Sequence, residues 1–166
     1  TSKRVVVPSS FPPVVNGFDE HAVEAALRIK DAQEAKVTVL GVGKTFSIDV
    51  MRKLLAMGAD DLVLVQDAAI DDSIDSGVTA QLLSAAIKKI GGFDLILCGR
   101  QASDWDNAQV PLFLTEELEL PCITIAKKIE VGHGTVKVER VVPEGIEVVE
   151  TPLPALVTVS NELGLP

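Results

Sequence analysis

Apolar and polar positions follow two rhythms along this chain. Residues 36–42 (KVTVLGV), 61–65 (DLVLV) and 93–98 (FDLILC) are short, apolar and rich in β-branched residues, which predicts buried strands. Between them the apolar positions recur with helical period. Val23, Ala26, Leu27 and Lys30 fall at i, i+3, i+4 and i+7, predicting a helix capped by Asp19 and running to about Lys30. A second helix is expected to begin after Ser47 and to stop at Gly58, a residue suited to a left-handed C-terminus. A third runs from about Gly77 to Ile90, with Val78, Leu82, Leu83, Ala86 and Ile90 on its apolar side and Gly91-Gly92 as its stop. A fourth carries LFLTEEL (112–118). Strands alternating with helices predict βαβ units and a parallel sheet.

After Pro121 the rhythm changes. CITIAKKIEV, TVKVERVV, IEVVETPL and ALVTVS follow one another, separated by turns such as GHG and PEG. TVKVERVV alternates apolar with polar residues, as a half-exposed antiparallel strand does. The pattern predicts an antiparallel hairpin addition whose last member, ALVTVS, returns to the sheet. Residues 1–20 contain three prolines and no clean strand after RVVV (4–7). No linker, repeat or low-complexity segment interrupts the chain.

Composition narrows the class. A length of 166 residues fits one domain, large enough to bury most of its apolar surface. Aromatics make up 4% and Tyr is absent, so the core must come from Val, Leu, Ile and Ala, as in sheets covered on both faces. A net charge of −9 argues against nucleic acid and anionic membrane surfaces, which bind through Lys/Arg excess. No apolar run approaches the roughly 18–20 residues of a membrane span, and no signal-peptide pattern opens the chain. A cytoplasmic protein, or one in an equivalent interior compartment, is expected. Cys98 and Cys122 stand apart, with no CxxC pattern, and read as small buried hydrophobes in a reducing compartment. His21 and His133 share no metal-ligand spacing, and both are expected on the surface.

The candidate chemistry sits at GRQASDWDNAQVP (99–111), between a predicted buried strand and a predicted helix. In open α/β sheets ligands bind at the carboxyl ends of strands. The free N–H groups and dipole of a helix's first turn form an anion site that needs no lysine. Gly99 allows close backbone approach. Gln101, Asn107 and Gln109 can hydrogen-bond sugar or phosphate oxygens. Asp104 and Asp106 would repel a phosphate and are assigned to N–H capping or hydroxyl groups, and Arg100 is the stretch's one cation. GVGKTFS (41–47) departs from the phosphate-loop pattern, which requires Gly where position 38 is Thr, and reads as a strand end and turn. NGFDE (16–20) reads as a turn and helix cap that can reach the same sheet edge. DDSIDS (71–76) and EELE (116–119) read as solvated acidic segments. No Ser/His/Asp set, Cys/His pair or paired carboxylates stand out, so no catalytic machinery is expected.

NGFDEHAVEAALRIK, LLAMGADDLVLV, FDLILCGRQASDWDNAQV, LPCITIAKKIE and LPALVTVSNELGLP together resemble the β subunit of electron-transfer flavoproteins, in order from about residue 13 to the end. The resemblance implies a Rossmann-like fold of the adenine-nucleotide α-hydrolase-like type. It also implies a heterodimer with an α subunit that holds the redox-active FAD, and electron transfer from flavin dehydrogenases to an acceptor. The β subunit in that family buries an adenine nucleotide, AMP or, in electron-bifurcating members, a second FAD. The family's binding positions fall here on Asn16, Gly17, Phe18 and Asp19, on Val42, and on Gly99, Arg100, Gln101, Ala102, Ser103, Asp104, Trp105, Asp106, Asn107, Ala108, Gln109 and Val110. The resemblance extends the expected compartment to the mitochondrial matrix for a eukaryotic source.

Three departures accompany the resemblance. Pro111 stands where many members have Gly, and it lacks a backbone N–H. Trp105 replaces a small or acidic residue and can stack on a ring or partly fill the site. The family's first strand (of the type KIVVxVKQVPD) and C-terminal arm have no counterpart in residues 1–166, leaving RVVV as the one possible substitute for that strand. Two other classes were weighed. ATP-using synthetases of the same broad fold carry an SGGxDS-type loop, and stand-alone nucleotide sensors of the universal-stress kind carry a GxxGxxxxxxxxxG[ST] loop. Neither pattern is present.

Overall fold

A computed structural model of the chain describes residues 12–70 and 74–164. The run RVVV (4–7) and the start of DDSIDS lie outside the described residues. The elements follow one another as α1 (Gly17–Ala32), β1 (Thr38–Gly43), α2 (Ile48–Met57), β2 (Asp61–Gln66), α3 (Ser76–Ile90), β3 (Leu95–Gly99), α4 (Val110–Leu118), β4 (Cys122–Val131), β5 (Thr135–Val142), β6 (Gly145–Pro152) and β7 (Ala155–Val159), closed by a short 3₁₀ turn at Asn161–Leu163. This is the α/β class expected, with βαβ connections first and hairpins last.

Among the described residues the strands form two ladders. β1 and β2 pair in parallel, and a five-stranded sheet runs in the order β3-β7-β4-β5-β6. β7 lies parallel between β3 and β4, while β4-β5 and β5-β6 are antiparallel. The last strand therefore returns to the sheet, as ALVTVS predicts. Its alternation sorts the core into two faces. Ala155, Val157 and Val159 are fully buried toward Ala22 and Ala25 of α1, together with Ile123, Val136 and Val138. Leu156 points the other way, against Ala80 of α3 and Leu114 of α4. A strand covered by helices on both sides has no polar face, and for that reason β7 is apolar at nearly every position.

Helix ends follow local chemistry. Asp75 caps α3 by accepting the Val78 N–H at 2.8 Å, and Gly58 ends α2 at φ +127°. The start of α1 differs from expectation. Asn16, not Asp19, is the residue before its first turn, and the Asn16 carbonyl accepts the N–H groups of Asp19 and Glu20. The Asp19 side chain is engaged elsewhere. At the far end of the sheet β4 bulges between Ile123 and Ala126. Ile125 there adopts φ +59°, and its N–H donates to Thr158 Oγ1 at 2.9 Å. Arg140 holds the same bulge by donating to the Thr124 carbonyl and hydroxyl.

No helix among the described residues is long and apolar enough to cross a membrane. His133 is exposed, but His21 is half-buried and its Nδ1 has no hydrogen-bond partner among the described residues. The surface placement expected for His21 is thus corrected: it lies on α1 one residue before the buried Ala22.

Candidate functional site

The N-terminus of α1 and the carboxyl end of β3 meet at one glycine. A Cβ on Gly99 would lie 2.6 Å from Asp19 Oδ1 and 2.7 Å from the Phe18 carbonyl carbon, so only glycine permits the approach. The Gly99 N–H donates to Asp19 Oδ1 at 2.8 Å, which is where the Asp19 side chain is engaged. Asn16 adds three bonds. Its Nδ2 donates to Asp19 Oδ2 at 2.8 Å and to the Gln101 carbonyl at 2.9 Å, and its Oδ1 accepts the Ser103 N–H at 3.2 Å. Two segments more than 80 positions apart are thereby tied into one unit.

Beyond Gln101 the loop is shaped from within. Gln101 Nε2 donates to Asp106 Oδ1, and the Asp106 N–H donates to the Ala102 carbonyl at 3.0 Å. Asp106 and Ala108 take positive φ, at +57° and +52°, in the left-handed region that non-glycine residues enter at a cost. The Asp106 carboxylate is occupied by the loop itself, in line with the capping role assigned to it. Arg100 turns away, its guanidinium 5.1 Å from the centre of the Phe18 ring, a cation–π separation. Its backbone N–H bonds the Val159 carbonyl at 2.8 Å.

The loop delivers the chain to α4, which begins at Val110 with Pro111 in its first turn. The first-turn N–H groups of Val110 and Leu112 have no intrahelical carbonyl to bond, and Pro111 contributes none. These donors and the helix dipole can meet an anion.

The site opens on a cleft of about 1860 Å³. Eleven of the expected positions line it: Asn16, Asp19, Val42, Gly99, Gln101, Ala102, Trp105, Asn107, Ala108, Gln109 and Val110. Gly17, Phe18, Arg100, Ser103, Asp104 and Asp106 do not line it. Phe18 and Arg100 are spent on each other, and Ser103 and Asp106 brace the loop. Trp105 is 65% exposed at the rim.

The cleft also has walls that sequence spacing left unassigned. Lys44 and Thr45 follow β1, Ile70 follows β2, and Asp75 and Thr79 open α3, all lining the same space. They follow strand ends, so the convergence of carboxyl ends on one edge is the signal that finds them. GVGKTFS is indeed a strand end and turn, β1 stopping at Gly43. No group of His, Cys, Asp and Glu that could hold a metal ion occurs among the described residues. Burial, with Asp19 and Cys122 adding smaller effects, pushes the Cys98 thiol up to about 12, and burial also raises Cys122.

Comparison with known proteins gives a concordant result. A family model described as the electron transfer flavoprotein domain matches residues 5–164. The electron transfer flavoprotein subunit beta of Megasphaera elsdenii is 41% identical over 99% of this chain and 63% of its own length. The subunit of that name from Thermoanaerobacterium thermosaccharolyticum is 37% identical, over 98% of this chain and 62% of its own length. The caffeyl-CoA reductase-Etf complex subunit CarD of Acetobacterium woodii is also 37% identical, over 97% and 62%. The chain thus spans a little over three-fifths of the length of these relatives.

Proposed function

Because the chain belongs to the electron transfer flavoprotein family, we propose that it is the nucleotide-binding part of a β-subunit-like electron carrier. It binds an adenine nucleotide, AMP or FAD, and pairs with an FAD-bearing α subunit. The pair passes electrons from flavin dehydrogenases to an acceptor. The observation that carries the reading is the joint opening of Asn16, Val42 and the Gly99–Val110 loop onto one cleft, with the start of α4 at its edge.

The residues present suit such a group. The N–H groups of Val110 and Leu112 meet the phosphate without a lysine. Gln101, Asn107 and Gln109 supply side-chain amides for phosphate or ribose oxygens, and Val42 offers an apolar contact at the adenosine end. A flavin, where one is bound, supplies the redox chemistry. The chain's own residues bind, orient and exclude water. No acid–base step is assigned to them: Cys98 and Cys122 stay protonated near neutral pH, and Asp106 is held by Gln101. The reading is therefore of a carrier subunit and not of an enzyme in its own right, located in the cytoplasm or the mitochondrial matrix.

The test is to release bound small molecules from the purified protein by heat and identify them by mass spectrometry, with a visible spectrum recorded first. AMP without yellow colour supports the reading with AMP as ligand. FAD with its visible band supports it with a second flavin. ATP converted to ADP on incubation overturns it in favour of an ATP-hydrolysing protein of the same broad fold.

A further inference from the structure

β1 pairs only with β2, and β3 pairs only with β7, among the described residues. Each therefore turns one ladder edge toward the large cleft. Leu40 and Val42 of β1 and Leu95 and Leu97 of β3 line that cleft, with Ile29 of α1 and Leu83 of α3 closing it from the two helical layers. All six are only half-buried. Facing backbone edges flanked by aliphatic side chains of two helical layers are the surroundings of a central strand in a doubly covered parallel sheet. Backbone donors and acceptors in such a place need partners.

We infer that this cleft is a strand position and that Lys3–Val7 occupies it, joining β1-β2 and β3-β7-β4-β5-β6 into one sheet. Four features select this segment. Pro13, Val14 and Val15 already line the cleft, so the chain enters the described structure at its wall. Lys3–Val7 has five residues, matching the five of β3, and its three valines suit a strand packed between helices. Pro8 and the Pro12-Pro13 pair cannot donate to a ladder, which places the end of the strand at Val7. The direction also closes. Asn16 sits at the carboxyl end of β3 through its bond to the Gln101 carbonyl, and a parallel strand finishes at that same edge. The linker 8–15 reaches up to roughly 27 Å when extended, ample for the return. The strand, α1 and β1 then form a βαβ unit like β1–α2–β2.

This inference does not depend on the nucleotide, and its test leaves the nucleotide out. Hydrogen–deuterium exchange is followed by mass spectrometry on the full 166-residue chain and on Val6→Pro, which removes one ladder N–H from the middle of the proposed strand. The expected result is exchange in β1 and β3 at least about tenfold faster in the variant, with β5 and β6 unchanged as the internal reference. Equal rates in β1 and β3 for the two proteins overturn the inference. Should Val6→Pro lower protection throughout, Val6→Ser decides, because it keeps the N–H and removes the apolar contact. Loss confined to β1 and β3 supports the assignment, and a uniform loss or none overturns it. Protection of β1 and β3 that rises with protein concentration assigns the cleft to a second copy and also overturns it.

Discussion

Asp19 and Gly99 are joined by a 2.8 Å hydrogen bond across 80 positions of sequence, the Gly99 N–H donating to the Asp19 carboxylate. The bond fixes the first turn of α1 against the end of β3, and the loop that follows inherits its starting point. Gly99→Ala is expected to be destabilising by about 1–3 kcal/mol, because its Cβ would press on backbone that cannot yield cheaply. Gly17→Ala serves as the control, since nothing lies within 4 Å of a Cβ there. Urea midpoints of the two variants check the contrast.

Asn16 fastens the loop through its bonds to the Gln101 carbonyl and the Ser103 N–H. Asn16→Ala releases both while leaving the Asp19–Gly99 bond in place. If the nucleotide reading holds, affinity for AMP falls roughly tenfold, a loss of one to two net hydrogen bonds' worth of preorganisation. Isothermal titration of AMP into the two proteins measures it, and the urea midpoint shows whether the fold has survived.

Thr158 is 3% exposed, and its hydroxyl is the acceptor for the Ile125 N–H at the β4 bulge. Thr158→Val keeps the shape and strands that donor, which is expected to cost about 1–3 kcal/mol. Thr158→Ser retains the acceptor and is expected to lose less. The order of the two urea midpoints is the readout.

Neither cysteine is expected to react in the folded protein. With the Cys98 thiol pushed up to about 12 and Cys122 raised as well, the thiolate is scarce at about pH 8. A thiol reagent such as 5,5′-dithiobis(2-nitrobenzoate) is expected to label the native chain slowly and both cysteines rapidly in denaturant.

Asp60 accepts the Lys30 ammonium at 2.6 Å and the Val37 N–H at 2.8 Å. These bonds hold its carboxyl below its ordinary value of 3.8, the lysine contributing most. A folded value below the unfolded one favours the fold above about 3.8, and the benefit disappears as pH falls through the folded value. The stability gap between the wild type and Asp60→Asn is therefore expected to shrink on acidification below about pH 4, as urea midpoints at successive pH values show.

The rhythm of apolar positions was enough to place every helix and strand of the described residues to within a few positions. Buried strands and amphipathic helices are written in local periodicity, and stops such as Gly58 act on their own neighbours. Helix starts were less legible. Asp19 has the chemistry of a cap, but its carboxylate bonds to Gly99, and Asn16 stands at the helix start instead. His21 likewise has no local mark that separates a surface histidine from a half-buried one.

The sequence by itself determined the α/β class, the change to hairpins after Pro121, the family, and the loop at 99–111 as the place to look. Those features depend on residue type and spacing over short stretches. Tertiary structure alone decided which positions of that loop face the cleft. Phe18 and Arg100 turn to each other, Gln101 engages Asp106, and the walls at Lys44, Ile70 and Thr79 arrive from other strand ends. Long-range pairing was equally invisible: β7, the last strand, enters between β3 and β4 because only there are both its faces covered. A side chain's partner is set by which segments the sheet brings together, and no local period encodes a contact across 80 residues.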